Sequence, residues 1–125
     1  MNYLFLCTPY SLYPLGLDRA FDLAVRTRGL LVQAGIKVFS PIIHSHVVAT
    51  ACGIDPLSHE IWLEAEAPFR HFASGAIMLM AESWEISHGM SFEKDEFEKA
   101  GKPIFWMTPG EIPEIPKELF SGSAT

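Results

Sequence analysis

Four short, mostly apolar runs punctuate the chain: Tyr3 to Cys7, Ile36 to Phe39, Ala76 to Met80 and Ile104 to Met107. Runs of this length bounded by turn residues read as buried strands. Helical periodicity fills most of the intervals. Asp18 to Gln33 carries an apolar stripe of Ala20, Leu23, Ala24, Leu30 and Leu31, with Gly35 as the stop. Ser58 to Phe72 reads as a second helix capped by Ser58, with a kink or break expected at Pro68. A third helix begins at about Gly89 and ends before Gly101. Ile42 to Pro56 shows no clear period and predicts a long loop. The resulting order, β–α–β–α–β–α–β, implies a parallel sheet with right-handed crossovers. One domain spans residues 1–108, and an irregular tail, 109–125, follows it.

The third helix departs from a simple apolar stripe. Met90, Glu93, Phe97 and Ala100 fall three, four and three residues apart and share one face. Three of these suit a core, and Glu93 does not. The pattern places a carboxylate on the core-facing stripe, in the first helical turn, just beyond the carboxyl end of a parallel strand. Open α/β sheets bind ligands there. The ordinary alternative is a glutamate that only complements the helix dipole.

The spacing of Ser87, Gly89 and Glu93 resembles the nucleoside 2-deoxyribosyltransferase superfamily. Two further stretches agree. Tyr3 to Ser11 (YLFLCTPYS) resembles the family's first strand and loop, with Tyr10 matching an aromatic residue that contacts the nucleophile. Val38 to His46 (VFSPIIHSH) and the loop Trp84 to Gly89 resemble a phage and bacterial branch of unknown function in that superfamily. The resemblance covers roughly Tyr3 to Phe105 and implies a flavodoxin-like, three-layer α/β sandwich with four to five parallel strands. It further implies that Glu93 attacks the anomeric carbon of a nucleoside or nucleotide, and that Ser87 receives a 5′-hydroxyl or 5′-phosphate. The chemistry is consistent, because a nearby carboxylate stabilises or captures an oxocarbenium-like cation. The helix dipole is expected to keep Glu93 ionised.

Composition narrows the partners. The chain has 125 residues and a net charge of −6, which argues against nucleic acid polymers. A small nucleotide is still admissible, since backbone N–H groups at a helix start can hold phosphate. Cys7 and Cys52 give no disulfide framework, no apolar run reaches membrane-spanning length, and the first residues lack a basic leader, so a reduced cytoplasmic setting is expected. For a phage-borne gene, that means the host cytoplasm. Neither metal nor organic cofactor is required by the implied chemistry.

Several other residues could line such a site. Tyr10 could donate to Glu93 or be a rim aromatic. His88 could add a charge-assisted contact, and Arg19 is the arginine nearest the first loop. Trp84 could stack on a base or cover the core. His44 and His46 flank Ser45, and in extended chain would point to the same side, towards a base. No third ligand completes a metal motif around them. Glu66 aligns where the resembling branch is expected to carry an Asp that touches sugar or base, and Gly75 stands where an Asp commonly opens the third strand. These departures leave a second reading open, a non-catalytic nucleotide-binding or sequestering module. A third is a structural domain in a phage assembly. Ile112, Ile115, Leu119 and Phe120 in the tail suggest docking on a neighbour, hence a homodimer or higher homo-oligomer.

Overall fold

The four apolar runs form strands β1 (Leu4–Cys7), β2 (Val38–Phe39), β3 (Gly75–Leu79) and β4 (Ile104–Met107) in the computed structural model, which describes residues 2–121. All pairings are parallel, and the sheet order is β2-β1-β3-β4. Helices α1 (Leu17–Gln33), α2 (Pro41–Cys52), α3 (His59–Phe72), α4 (His88–Lys99) and α5 (Glu118–Ser121) complete the element set, with one 3-10 turn at Trp84–Ile86. The architecture is a flavodoxin-like α/β sandwich.

The apolar strands are continuous rather than alternating because both sheet faces are covered. Leu4 and Leu6 of β1 and Ile77 and Leu79 of β3 pack with Leu31 of α1 on one face. Their neighbours Phe5, Cys7, Ala76 and Met78 pack with Met90 and Phe97 of α4 on the other. Period-two alternation therefore serves two cores. Gly75 is fixed by strand pairing. A Cβ there would lie 2.6 Å from the Pro103 carbonyl oxygen, so β4 could not approach β3.

Four expectations need correction. The segment expected to be a long loop contains α2. Its start is signalled by Ser40, whose Oγ accepts from the Ile43 N–H, and by Pro41 in the first turn; its end is set by left-handed Gly53. Ile42, Ile43, Val47, Val48 and Ala49 surround this helix with apolar groups, so no stripe marks it. His44 and His46 are consequently about 200° apart around a helix, not on one side. Pro68 lies within an unbroken α3. The Glu64 carbonyl it leaves unbonded is on an exposed turn, where water can serve it.

The expected irregular tail contains α5 and is anchored on its own chain. Ile115, Leu119 and Phe120 pack against the α1 face of the chain's own core, and Ile112 alone of the four is substantially exposed. Residues 122–125, the end of the expected irregular tail, lie outside the described residues. Among the described residues, no helix is long and apolar enough to cross a membrane.

Candidate active site

The chain leaves β1 towards β2 and later leaves β3 towards β4, on opposite sides. A crevice opens at the carboxyl ends of β1 and β3, where this reversal occurs. Thr8 and Tyr10 enter it from the loop after β1, Ser45 from α2, Glu66 from α3, and Ser87, Gly89 and Glu93 from α4. Ser87 caps α4, its Oγ accepting from the Met90 N–H. Glu93 is therefore in the second turn of the helix, one turn later than expected. Met90 and Phe97 on its face are buried, while Ala100 is the exposed C-cap.

Two carboxyl groups share this cleft. Glu66 is buried, and its Oε2 has no hydrogen-bond partner. Burial pushes its pKa up to about 8, against the opposing pull of Arg70. Burial pushes Glu93 up to about 8 as well; the Cys7 thiol and Arg70 oppose the rise, and the charges of Glu66 and Glu96 add to it. Desolvation thus overrides the helix dipole, and the expectation of a permanently ionised Glu93 does not hold. Desolvation is the main cause for each carboxyl, and the Glu66 charge adds to the rise of Glu93. Thr8 Oγ1, also facing the cleft, is a second buried polar atom without a partner.

Arg70 was not evident as a site residue in the sequence. It is 6% exposed. Its Nε donates to Glu96 Oε1 at 3.0 Å and its Nη2 to the Leu63 carbonyl at 3.0 Å. Its place one helical turn after Glu66 was the available signal. The buried guanidinium is the nearby positive charge that restrains the carboxyl pair.

Tyr10 is engaged elsewhere than expected. Its hydroxyl lies 2.7 Å from His46 Nδ1, and His46 Nε2 lies 3.2 Å from Asp18 Oδ1. Burial and the Asp18 charge raise the phenol pKa to about 12, so it stays protonated. His46 sits behind Tyr10 rather than in the cleft wall, stacked on Phe21.

Of the sequence candidates, the fold brings together Tyr10, Glu66, Ser87, Gly89 and Glu93. It does not bring Arg19, His44, His88 or Trp84 to the cleft. Arg19 and His88 are exposed, and exposed His44 faces the rings of Phe39 and Phe69. Trp84 packs on the α4-side core and against Trp106, so it covers the core. Among the described residues, no group of three or more His, Cys, Asp or Glu could hold a metal ion.

The cleft encloses about 80 Å³, below the 300–1,000 Å³ usual for small-molecule sites. Pro56, Leu57, Ser58 and His59, ahead of α3, form one wall. A larger depression of about 700 Å³ lies beside edge strand β2, lined by Tyr3, Val32, Phe39, Phe69 and Phe72. Its lining is mostly apolar, with Arg28 and Lys37 as the charged residues, and no carboxylate lines it. No curated protein matches the sequence. One family model does match, over residues 2–109, and the chain belongs to that family, described as a domain of unknown function, DUF1937.

Proposed function

We propose that this protein cleaves, or transfers at, the N-glycosidic bond of a nucleoside or nucleoside 5′-monophosphate, with Glu93 as the nucleophile at C1′. The observation that carries the reading is the pairing of Glu93 with Glu66 in one cleft at the strand ends, both with raised pKa values. Glycosidic cleavage needs one ionised and one protonated carboxyl, and two desolvated carboxyls in one cleft, both raised to about 8, can supply both. Glu93 in its ionised form attacks or stabilises the cationic sugar. Glu66 in its protonated form donates to the departing base. Ser87 and the free N–H groups at the start of α4 receive the 5′-oxygen or phosphate.

The sugar is the part of the substrate that the present cleft suits. A whole nucleotide requires the wall at Pro56 to His59 to move outward. Completion by water gives a hydrolase, and completion by a second base gives a transferase.

The test is incubation with a panel of nucleosides and 5′-monophosphates, with free base measured by chromatography. Glu93→Gln should reduce base release by orders of magnitude, because an amide neither captures nor neutralises the cation. Turnover near the unmodified level in that variant would sink the mechanism.

A further inference from the structure

The Tyr10, His46 and Asp18 side chains form a connected line from the cleft to solvent. Tyr10 is 7% exposed. The His46 side chain is 11% exposed and that of Asp18 is 97% exposed. The three come from different segments: the loop after β1, α2 and the first turn of α1. The imidazole is held in plane by Phe21, whose ring lies 4.5 Å away at an interplanar angle of 19°. Tyr10 meets it edge-on, at 87°.

We propose that His46, oriented by Asp18, is a positioning residue that sets the direction of the Tyr10 hydroxyl proton. With a neutral imidazole, Tyr10 then presents a lone pair to the cleft; with a charged imidazole, it presents a proton. The inference rests on the cleft being the functional site but not on which bond is broken there.

The argument is a count of donors. Neutral imidazole has one N–H and one lone pair, and ionised Asp18 only accepts. A lone pair on Nε2 would face the Asp18 carboxylate 3.2 Å away, so the N–H is placed on Nε2, which leaves Nδ1 to accept. At 2.7 Å the phenol is then bound to donate to Nδ1. Its proton is unavailable to the cleft, and only its oxygen lone pairs remain. Protonation of His46 makes both ring nitrogens donors. Nδ1–H now donates to the phenol oxygen, and the phenol proton is released towards the cleft occupant.

The consequence concerns anions. In the charged state, Tyr10 can donate to a carboxylate or a phosphate oxygen. In the neutral state, it can accept from a protonated carboxyl or a sugar hydroxyl. No proton crosses the chain: the O–H bond of Tyr10 rotates, and the single proton taken up by His46 comes from solvent. The titratable groups that face His46 are Asp18 from α1 and Tyr10 from the β1–α1 loop. Phe21 of α1 is uncharged. From β1, also packed on α2, the one titratable group is Cys7, whose thiol lies beside Glu93.

NMR of the substrate-free protein tests this without any assumption about activity. The neutral His46 ring should show the Nε2–H tautomer in long-range ¹H–¹⁵N spectra. The Tyr10 Cζ resonance should shift with the same midpoint as the His46 titration, since it reports whether the phenol donates or accepts. Asp18→Ala should abolish the tautomer preference, and His46→Gln should remove the Tyr10 transition. A neutral His46 found as Nδ1–H, or a Tyr10 signal that does not follow the His46 titration in the unmodified protein, would overturn the proposal. Both decisive readouts use the unmodified chain, so a variant that fails to fold does not blur the result. Loss of base release in the nucleotide panel would leave this outcome untouched.

Discussion

Replacing Glu93 by Gln should stabilise the folded protein at alkaline pH. In the unfolded chain this carboxyl ionises near 4.5, and in the folded protein near 8. Between those values the folded state keeps a proton that the unfolded chain has released. Stability is therefore highest below the lower value, falls as pH rises through the window, and levels off above the upper one. Each pKa unit corresponds to about 1.4 kcal/mol. The whole rise of Glu93, from 4.5 to about 8, would give about 5 kcal/mol for an isolated, fully desolvated group. Two features reduce that figure. Glu93 is partly reached by water, and some of its rise is mutual repulsion with Glu66, which lessens when Glu66 holds the proton. About half, or about 2.5 kcal/mol, is the reasonable expectation for Glu93→Gln.

Such a change is large against the 5–15 kcal/mol stability of a typical domain. Urea unfolding at about pH 5 and about pH 9 would read it directly. With a urea dependence of about 1–3 kcal/mol per molar, the midpoint of Glu93→Gln should exceed that of the unmodified protein by about 1 M at the higher pH. At the lower pH the two midpoints should converge, because the native carboxyl is then neutral like the amide. Parallel curves with no gain at high pH would refute the claim that burial raises the Glu93 pKa.

Ser87→Ala should cost about 1 kcal/mol of stability through the lost cap of α4. If the loop holds a 5′-phosphate, calorimetry should show nucleotides weakened by about 1–3 kcal/mol more than nucleosides; equal losses would make Ser87 a cap only. Gly75→Ala forces β3 and β4 apart against a 2.6 Å contact, and thermal unfolding should report a loss of about 1–3 kcal/mol. An unchanged melting temperature would contradict the account of why glycine stands there.

The strands and the three amphipathic helices were legible because each has a period or a stop signal. Helix α2 was not, since apolar groups surround it and many are β-branched, which mimics a strand or an unpatterned loop. Its Ser40-Pro41 start and Gly53 end were present as local signals, but no stripe joined them. Glu93 was legible as a cleft residue, since a carboxylate on an apolar stripe conflicts with packing. Glu66 required alignment to a resembling pattern. Arg70 and the Asp18–His46–Tyr10 line depend on distances across the fold, which spacing along the chain does not encode. The misplacement of His44 followed directly from reading α2 as extended chain.

The two departures from the resembling family bear differently on whether the cleft is catalytic. Gly75 lies at the amino end of β3, the opposite end of the strand from the cleft, and packing against Pro103 accounts for it. It therefore carries no weight for a purely binding role. Glu66 is the informative one. A buried carboxyl with an unpartnered oxygen destabilises the fold. A module that only sequestered a nucleotide would gain little from a second desolvated carboxyl in the cleft. Cleavage of a glycosidic bond has a use for both, one to meet the cation and one to protonate the base. The cost in stability, with no matching gain for simple binding, supports the catalytic reading over the sequestering one. Glu66→Gln separates them: an amide has no proton to give the departing base, so base release should fall while a bound 5′-monophosphate is held about as well. A variant that binds more weakly and releases base unchanged would reverse that assignment.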